Sequence, residues 1–193
     1  MKTRKIIPFP SILLMLTLFT FFGCKKEEVQ TGQLIINGNV ELGTETSDNW
    51  WHSTDQENFN VIWTDQVSFS PVKSLEISNQ VTDPIKSAFW GQSISSNLPY
   101  GKAITLKVKI KGNLKGSGLF LAIRGDDTNP ASGDPEQFVT TQGITTISGT
   151  FDWTDYSLML SSVDASTKIL NVFLFYSPNT TGEAFFDDIT LSY

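Results

Sequence analysis

The residues best equipped for chemistry in this chain are aromatic. Trp50, Trp51, Trp63, Trp90 and Trp153 stand with Tyr100, Tyr156, Tyr176 and Tyr193. A sugar-like molecule presents flat apolar C–H faces and a rim of hydroxyls, and an aromatic ring beside a few placed hydrogen-bonding groups suits both. Trp and Phe also fill sandwich cores, so position decides between the two roles. Trp50 and Trp51 are adjacent, and on a strand they point to opposite faces, which predicts that one is exposed. Trp90 and Gln92 lie two residues apart and share a face. Arg124 is the only arginine after Arg4, and its planar fork matches vicinal hydroxyls or a carboxylate. A salt bridge to Asp126 or Asp127 is the alternative use of that side chain. Trp50, Trp51, Trp90, Gln92 and Arg124 are therefore the ligand-binding candidates, whereas Trp153, in Asp152-Trp153-Thr154-Asp155-Tyr156, is expected to be structural.

Much other chemistry is excluded by inventory. One His and one Cys cannot supply a His-rich metal site, an intramolecular disulfide or a thiolate cluster. A Ser-His-Asp relay would have to use His52, which has no nucleophile motif around it. Glycoside hydrolysis needs only two carboxylates, but no strand-like segment carries acids at alternate positions, and the best spacing, Asp55-Gln56-Glu57, falls in a polar loop. No phosphate-cradling Gly loop is present. The expectation is a binding protein rather than an enzyme.

The first 23 residues read as a leader: Lys2, Arg4 and Lys5, then an apolar run from Ile12 to Phe22, too short to span a bilayer. Thr20-Phe21-Phe22-Gly23-Cys24 resembles the lipobox of bacterial lipoproteins, which implies lipidation of Cys24. Lys26-Glu27-Glu28 resembles the signal that sends some Gram-negative lipoproteins to the outer face of the outer membrane; a solvated tether is the plain reading. Residues 24–32 are then the lipidated Cys and a short linker, and 33–193 one domain. With the leader gone, 11 of the 14 basic residues remain against 20 acidic ones, a charge near −9. Such a surface repels nucleic acid and anionic lipid, leaving the acyl chains as the membrane contact.

The elements that position the candidates read as strands. In 102–111, Ile104, Leu106, Val108 and Ile110 alternate with Thr105, Lys107, Lys109 and Lys111. Shorter period-two segments appear at 73–78, 118–124, 156–160 and 168–176. Arg124 falls opposite Leu119, Leu121 and Ile123, on the face of Phe120 and Ala122. Turn-forming clusters occupy 97–101, 112–116, 126–135 and 177–182. Strands without helical connectors predict an all-β, two-sheet antiparallel β-sandwich of the jelly-roll kind.

The ends of the domain carry a resemblance. Ile36-Asn37-Gly38-Asn39-Val40-Glu41, followed by Trp50, resembles the opening of galactose-binding-like jelly rolls, especially carbohydrate-binding modules of the xylan- and glucan-binding type. Ala184-Phe185-Phe186-Asp187-Asp188-Ile189-Thr190-Leu191 resembles their closing strand, and Trp90-Gly91-Gln92, Tyr100-Gly101-Lys102 and Phe151-Asp152-Trp153 follow in the family's order. The resemblance implies a ligand groove on one sheet face, reached by Arg124, and a structural Ca²⁺ held by Glu41 with Asp187 or Asp188, a donor set of the hard oxygen kind that Ca²⁺ takes; the alternative is that Glu41 caps a turn and Asp187-Asp188 accept backbone hydrogen bonds. A rival Ca²⁺ loop, Asp126-Asp127-Thr128-Asn129 with Asp134 and Glu136, lacks EF-hand spacing.

The sequence thus leads to a lipid-anchored surface protein that binds a polysaccharide or oligosaccharide. The alternative is a structural or protein-interaction lipoprotein subunit with the same fold. Exposure separates them: tryptophan lining one face favours the glycan, and a fully buried set with a flat apolar patch favours a protein partner.

Overall fold

The computed structural model describes residues 32–53, 58–82, 85–129, 131 and 133–193. The leader, Cys24, Lys26-Glu27-Glu28 and Asp55-Gln56-Glu57 lie outside the described residues. Within them every regular element is a strand: β1 (Trp51–His52), β2 (Phe59–Thr64), β3 (Ser74–Asn79), β4 (Ala88–Ile94), β5 (Ile104–Asp126), β6 (Gln137–Thr140), β7 (Ile147–Leu160), β8 (Ile169–Tyr176) and β9 (Thr180–Ser192). All strand pairs are antiparallel.

The strands form a two-layer sandwich stitched together by β5. Residues 104–116 of β5 pair with β7 and β9, and β9 continues through β3 to β2. Residues 119–126 cross into the other layer, where they pair with β8 and β6, and β8 continues through β4 to β1. The segment 112–116, expected as a turn, is instead part of this long strand. Its glycines mark the crossing: Gly116 and Gly118 have φ of 92° and 79°, and a Cβ on either would collide with the carbonyl oxygens of Asn179 and Ile147. Only glycine takes that backbone at so close an approach.

Period-two alternation drives the layers together. Ile104, Leu106, Val108 and Ile110 of β5 face Leu121, Ile123, Leu170, Val172 and Leu174 across one core, which also takes Trp90, Tyr176 and Phe186. Each fully buried aliphatic side chain contributes about 1.5–3 kcal/mol. The β1–β4–β8–β5–β6 layer and the β2–β3–β9–β5–β7 layer then each turn a second face outward.

Candidate functional site

The outward face of the β1–β4–β8–β5–β6 layer is built from the residues that alternation leaves over. Across the strands, one row reads Trp51, Gly91, Phe173, Ala122 and Thr140; the next reads Ser93, Asn171, Arg124 and Phe138. A cavity of about 370 Å³ opens between these rows and the loop after β5, lined by Trp51, Ser93, Asn171, Phe173, Ile169 and Arg124, with Ala131 and Gly133 from the loop.

Trp51 is the feature that gives this face its character. Pairing of β1 with β4 puts Trp51 opposite Gly91 and His52 opposite Trp90, so Trp51 points out while His52 packs inward, 4.7 Å from the Trp90 ring. A Cβ on Gly91 would lie 2.9, 3.1 and 3.2 Å from three consecutive carbons of the Trp51 six-membered ring. Distances so nearly equal arise over the face of a ring and not at its edge, so the indole lies flat on the strand where Gly91 leaves room. Phe89 and Phe173 stand at right angles to it, at 88° and 89° with centroids 5.4 and 5.7 Å away, and brace it edge-on. The residue stays 40% exposed. One indole face is held and the other is turned to solvent.

The polar groups beside it are equally fixed. Arg124 Nε donates to both carboxylate oxygens of Asp126 (3.0 and 2.9 Å), and Nη2 donates to Asp126 Oδ1 and to the Gly133 carbonyl, both at 2.7 Å. Asp126 is 1% exposed, so the pair is half inside the protein. The bond to Asp126 holds the guanidinium charge, raising its pKa further, against the opposing effect of burial, and the charges of Asp126 and Asp134 add to it. Of the two uses expected for Arg124, the salt bridge to Asp126 is the one the structure shows, and the same side chain lines the cavity. The pairing also removes Asp126 from the rival Ca²⁺ loop. Ser93 Oγ donates to Asn171 Oδ1 at 2.6 Å and so fixes the amide of this buried residue, whose Nδ2 carries its donor hydrogens.

Three other candidates take no part. Trp50 is buried, with its indole N–H on the Asn37 carbonyl. Trp90 is 1% exposed, faces the core and donates to the Glu76 carbonyl. Gln92, 2% exposed, shares that inward face and bonds both the N–H and the C=O of Ile36. These are core anchors, because even positions of β4 point inward. The residues missed by sequence reasoning are Gly91, Ser93, Asn171 and Phe173. One signal could have found the last two: with Leu170, Val172 and Leu174 buried, Asn171, Phe173 and Phe175 must occupy the outward face.

Glu41 and Asp187 do meet, at the loop 65–73 that connects β2 to β3. Asp187, fully buried, accepts from Phe69 N–H and Ser70 N–H on Oδ2 and from Asp188 N–H on Oδ1. Glu41 Oε1 accepts from Val72 and Lys73 N–H. Burial pushes the Asp187 carboxyl above its ordinary value, and the hydrogen bonds pull the other way. Ser70 Oγ sits among Asp187 Oδ1, the Asn39 carbonyl and Glu41 Oε1, at 2.7, 3.0 and 3.4 Å. A hydroxyl has one proton and serves one of these three. These are hard oxygens of the kind Ca²⁺ takes, but Glu41 Oε1 and both Asp187 oxygens already accept backbone N–H groups, so the arrangement is that of carboxylates capping the turns of the loop and no unsatisfied oxygen here calls for an ion. Asp188 is exposed, and among the described residues no group of three or more His, Cys, Asp or Glu is placed to share a metal.

The opposite outer face is different. There Trp153 packs on Phe69 at 5.9 Å, Lys109 lies over Phe69 and pairs with Asp155, and Lys111 pairs with Asp152. Trp153 is half-buried, in keeping with a structural role.

The sequence matches no protein-family profile and no curated protein. Its fold does match solved structures. A family 16 carbohydrate-binding module superposes with a TM-score of 0.58 at 21% identity, over 83% of this chain and 99% of that one. The CBM22-1 xylan-binding domain from Paenibacillus barcinonensis gives 0.57 at 15% identity, over 83% and 94%. The enzymatically active domain of tailspike protein 4 from bacteriophage CBA120 gives 0.62 at 16% identity, over 83% of this chain. This chain spans only about a fifth of the tailspike's length, 21%. At such identities the likeness establishes the two-sheet fold.

Proposed function

We propose that this protein is a non-catalytic, lipid-anchored glycan-binding module whose ligand lies on the outward face of the β1–β4–β8–β5–β6 layer. The observation that carries the reading is the Trp51 indole, flat over Gly91 with one face open, beside a cavity lined by Arg124 and Asn171. An aromatic face takes the C–H face of a sugar while the guanidinium and amide take its hydroxyls. The fold shared with carbohydrate-binding modules supports this. Arg124 already faces Asp126 and feels Asp134, so the site favours neutral sugars over uronic acids, whose charge would meet two carboxylates.

The non-catalytic reading leans on the fold shared with carbohydrate-binding modules. Glu41 and Asp187 themselves pin the opening segment and the closing strand to the loop 65–73, through hydrogen bonds to its backbone. Anchoring through Cys24, with display at the outer membrane, follows from the leader and from Lys26-Glu27-Glu28.

The test is affinity electrophoresis of the protein lacking its leader in gels containing xylan, glucans or uronate-rich polysaccharides, with Ca²⁺ or with chelator. Retardation by a neutral polysaccharide that Trp51→Ala abolishes is expected. A folded protein retarded by none of them would instead favour the protein-interaction role.

A further inference from the structure

The β2–β3–β9–β5–β7 layer ends at β7, which pairs with β5 alone; among the described residues no strand bonds its other side. Register with β5 sorts its side chains. Tyr156, Leu158 and Leu160 stand opposite Val108, Leu106 and Ile104 and point into the core, while Asp155, Ser157 and Met159 stand opposite Lys109, Lys107 and Thr105 and point out. Tyr156 and Leu158 stay only half-buried although they belong to the core row, because no strand flanks them. Met159 is 60% exposed. Such an edge carries a row of backbone N–H and C=O groups open to another strand.

We infer that the strand it takes is β7 of a second copy of this chain, in a two-fold dimer whose register is chosen by charge. Two copies of one strand pair antiparallel about a two-fold axis, and residues directly opposed lie on the same face, so outward residues meet outward ones. A register centred on Asp155 would set two aspartates against each other, which is destabilising. One centred on Ser157 would set Asp155 against Met159. Centring on Tyr156 avoids both: on the outer face Asp155 meets Ser157 and Trp153 meets Met159, and on the inner face Tyr156 meets its own copy and Thr154 meets Leu158.

That register also engages a lysine. Lys109 and Lys111 are paired with Asp155 and Asp152, but Lys107, exposed and next to Ser157 in the ladder, has no ion-pair partner among the described residues. The partner's Asp155, set against Ser157, comes two strand spacings from Lys107, about 10 Å between Cα atoms, a gap that the two side chains bridge. Each Asp155 then sits between its own Lys109 and the partner's Lys107, and symmetry makes the contact twice. Met159 gains the indole of the partner's Trp153, a sulfur–aromatic contact. The short β6 of the other layer lies at the Ser162 end of β7, where Gln137 Nε2 donates to the Ser162 carbonyl, and the two-fold sends the two copies of β6 to opposite ends of the seam. The axis runs normal to the sheet, so the two layers join into one continuous sheet and both Trp51 faces look the same way.

The experiment is sedimentation equilibrium through the micromolar range on the protein lacking its leader, with Cys24→Ser so that no disulfide can join copies. The wild type is expected to dimerise as concentration rises. Lys107→Glu sets a carboxylate against the partner's Asp155 at both contacts, and Asp155→Lys sets an ammonium against the partner's Lys107. Each is expected to weaken the dimer at least tenfold while circular dichroism stays native, since both positions are exposed. An equimolar mixture of the two variants pairs opposite charges at both contacts and is expected to dimerise again. A wild type that stays monomeric, a dimer that neither variant weakens, or a mixture no more dimeric than its components would overturn the inference; the first would leave the edge to a strand from a different protein.

Discussion

The two layers share one core and turn opposite chemistry to solvent. On the Trp51 side, the outward row is aromatic and its one cation is neutralised by a buried aspartate. On the Trp153 side, lysines alternate along β5 and pair with exposed aspartates of β7, and the loop 65–73 reaches Asp187 of β9. Both faces carry a tryptophan. The difference lies in what sits beneath and above the ring: Trp51 rests on a glycine with its second face free, whereas Trp153 packs against Phe69 from the loop 65–73. A sandwich can therefore present one aromatic face with a single ion-paired arginine and a cavity, and keep the other wet and charged.

The contrast can be broken most severely at the loop. Asp187→Ala strips acceptors from the N–H groups of Phe69, Ser70 and Asp188 and should cost on the order of 3 kcal/mol in denaturant unfolding. Binding by the fraction that stays folded should be retained, because Asp187 belongs to the other layer. Next comes Trp51→Ala, expected to weaken glycan binding at least tenfold, ~1.4 kcal/mol, with a modest fall in melting temperature from the lost contacts with Phe89 and Phe173; Trp153→Ala should leave affinity intact. Gly91→Ala sharpens the comparison further. Its methyl would displace the indole from its seat, so affinity should fall several-fold in a protein whose circular dichroism is native.

The smallest effect concerns Glu76 on the charged side. Burial raises its carboxyl above the ordinary value, with Glu183 adding repulsion against hydrogen bonds from Ser78 and Asn60. A folded-state pKa above the unfolded one means that the native state binds more protons, so this group's contribution to stability falls as pH rises through that window. Glu76→Gln should therefore give a small gain in stability at neutral pH and none in acid, read from melting curves at several pH values.

The layers and their inward faces were legible from the sequence because alternation in 102–111 is strict and 118–124 and 168–176 keep aliphatic residues at every second position, although Phe120, Phe173 and Phe175 make their other face apolar too. It placed Arg124 outward, and of the adjacent Trp50 and Trp51 one ring is indeed exposed, although Trp50 precedes β1 and the opposite-face argument does not apply to it. β4 was harder: Phe89, Trp90, Gly91 and Gln92 give no polar face, and Gln92 is satisfied by Ile36, fifty-six positions away, which local pattern does not reveal. The glycines of 112–116 read as a turn because the sequence does not distinguish a chain reversal from a long strand crossing between sheets. Glu41 and Asp187 were nominated by resemblance, and what joins them, Ser70, lies in a loop with no periodic signal.

The most direct test of the Trp51 face is to follow the five indole N–H resonances by nitrogen-15 correlation spectroscopy while a retained neutral polysaccharide fragment is titrated in. Trp50, Trp63 and Trp90 donate to the carbonyls of Asn37, Val40 and Glu76, and Trp153 lies on the opposite face, so four of the signals are internal controls. The account predicts a progressive shift confined to Trp51. Movement of Trp153 with Trp51 unchanged would place the ligand on the charged face and contradict it.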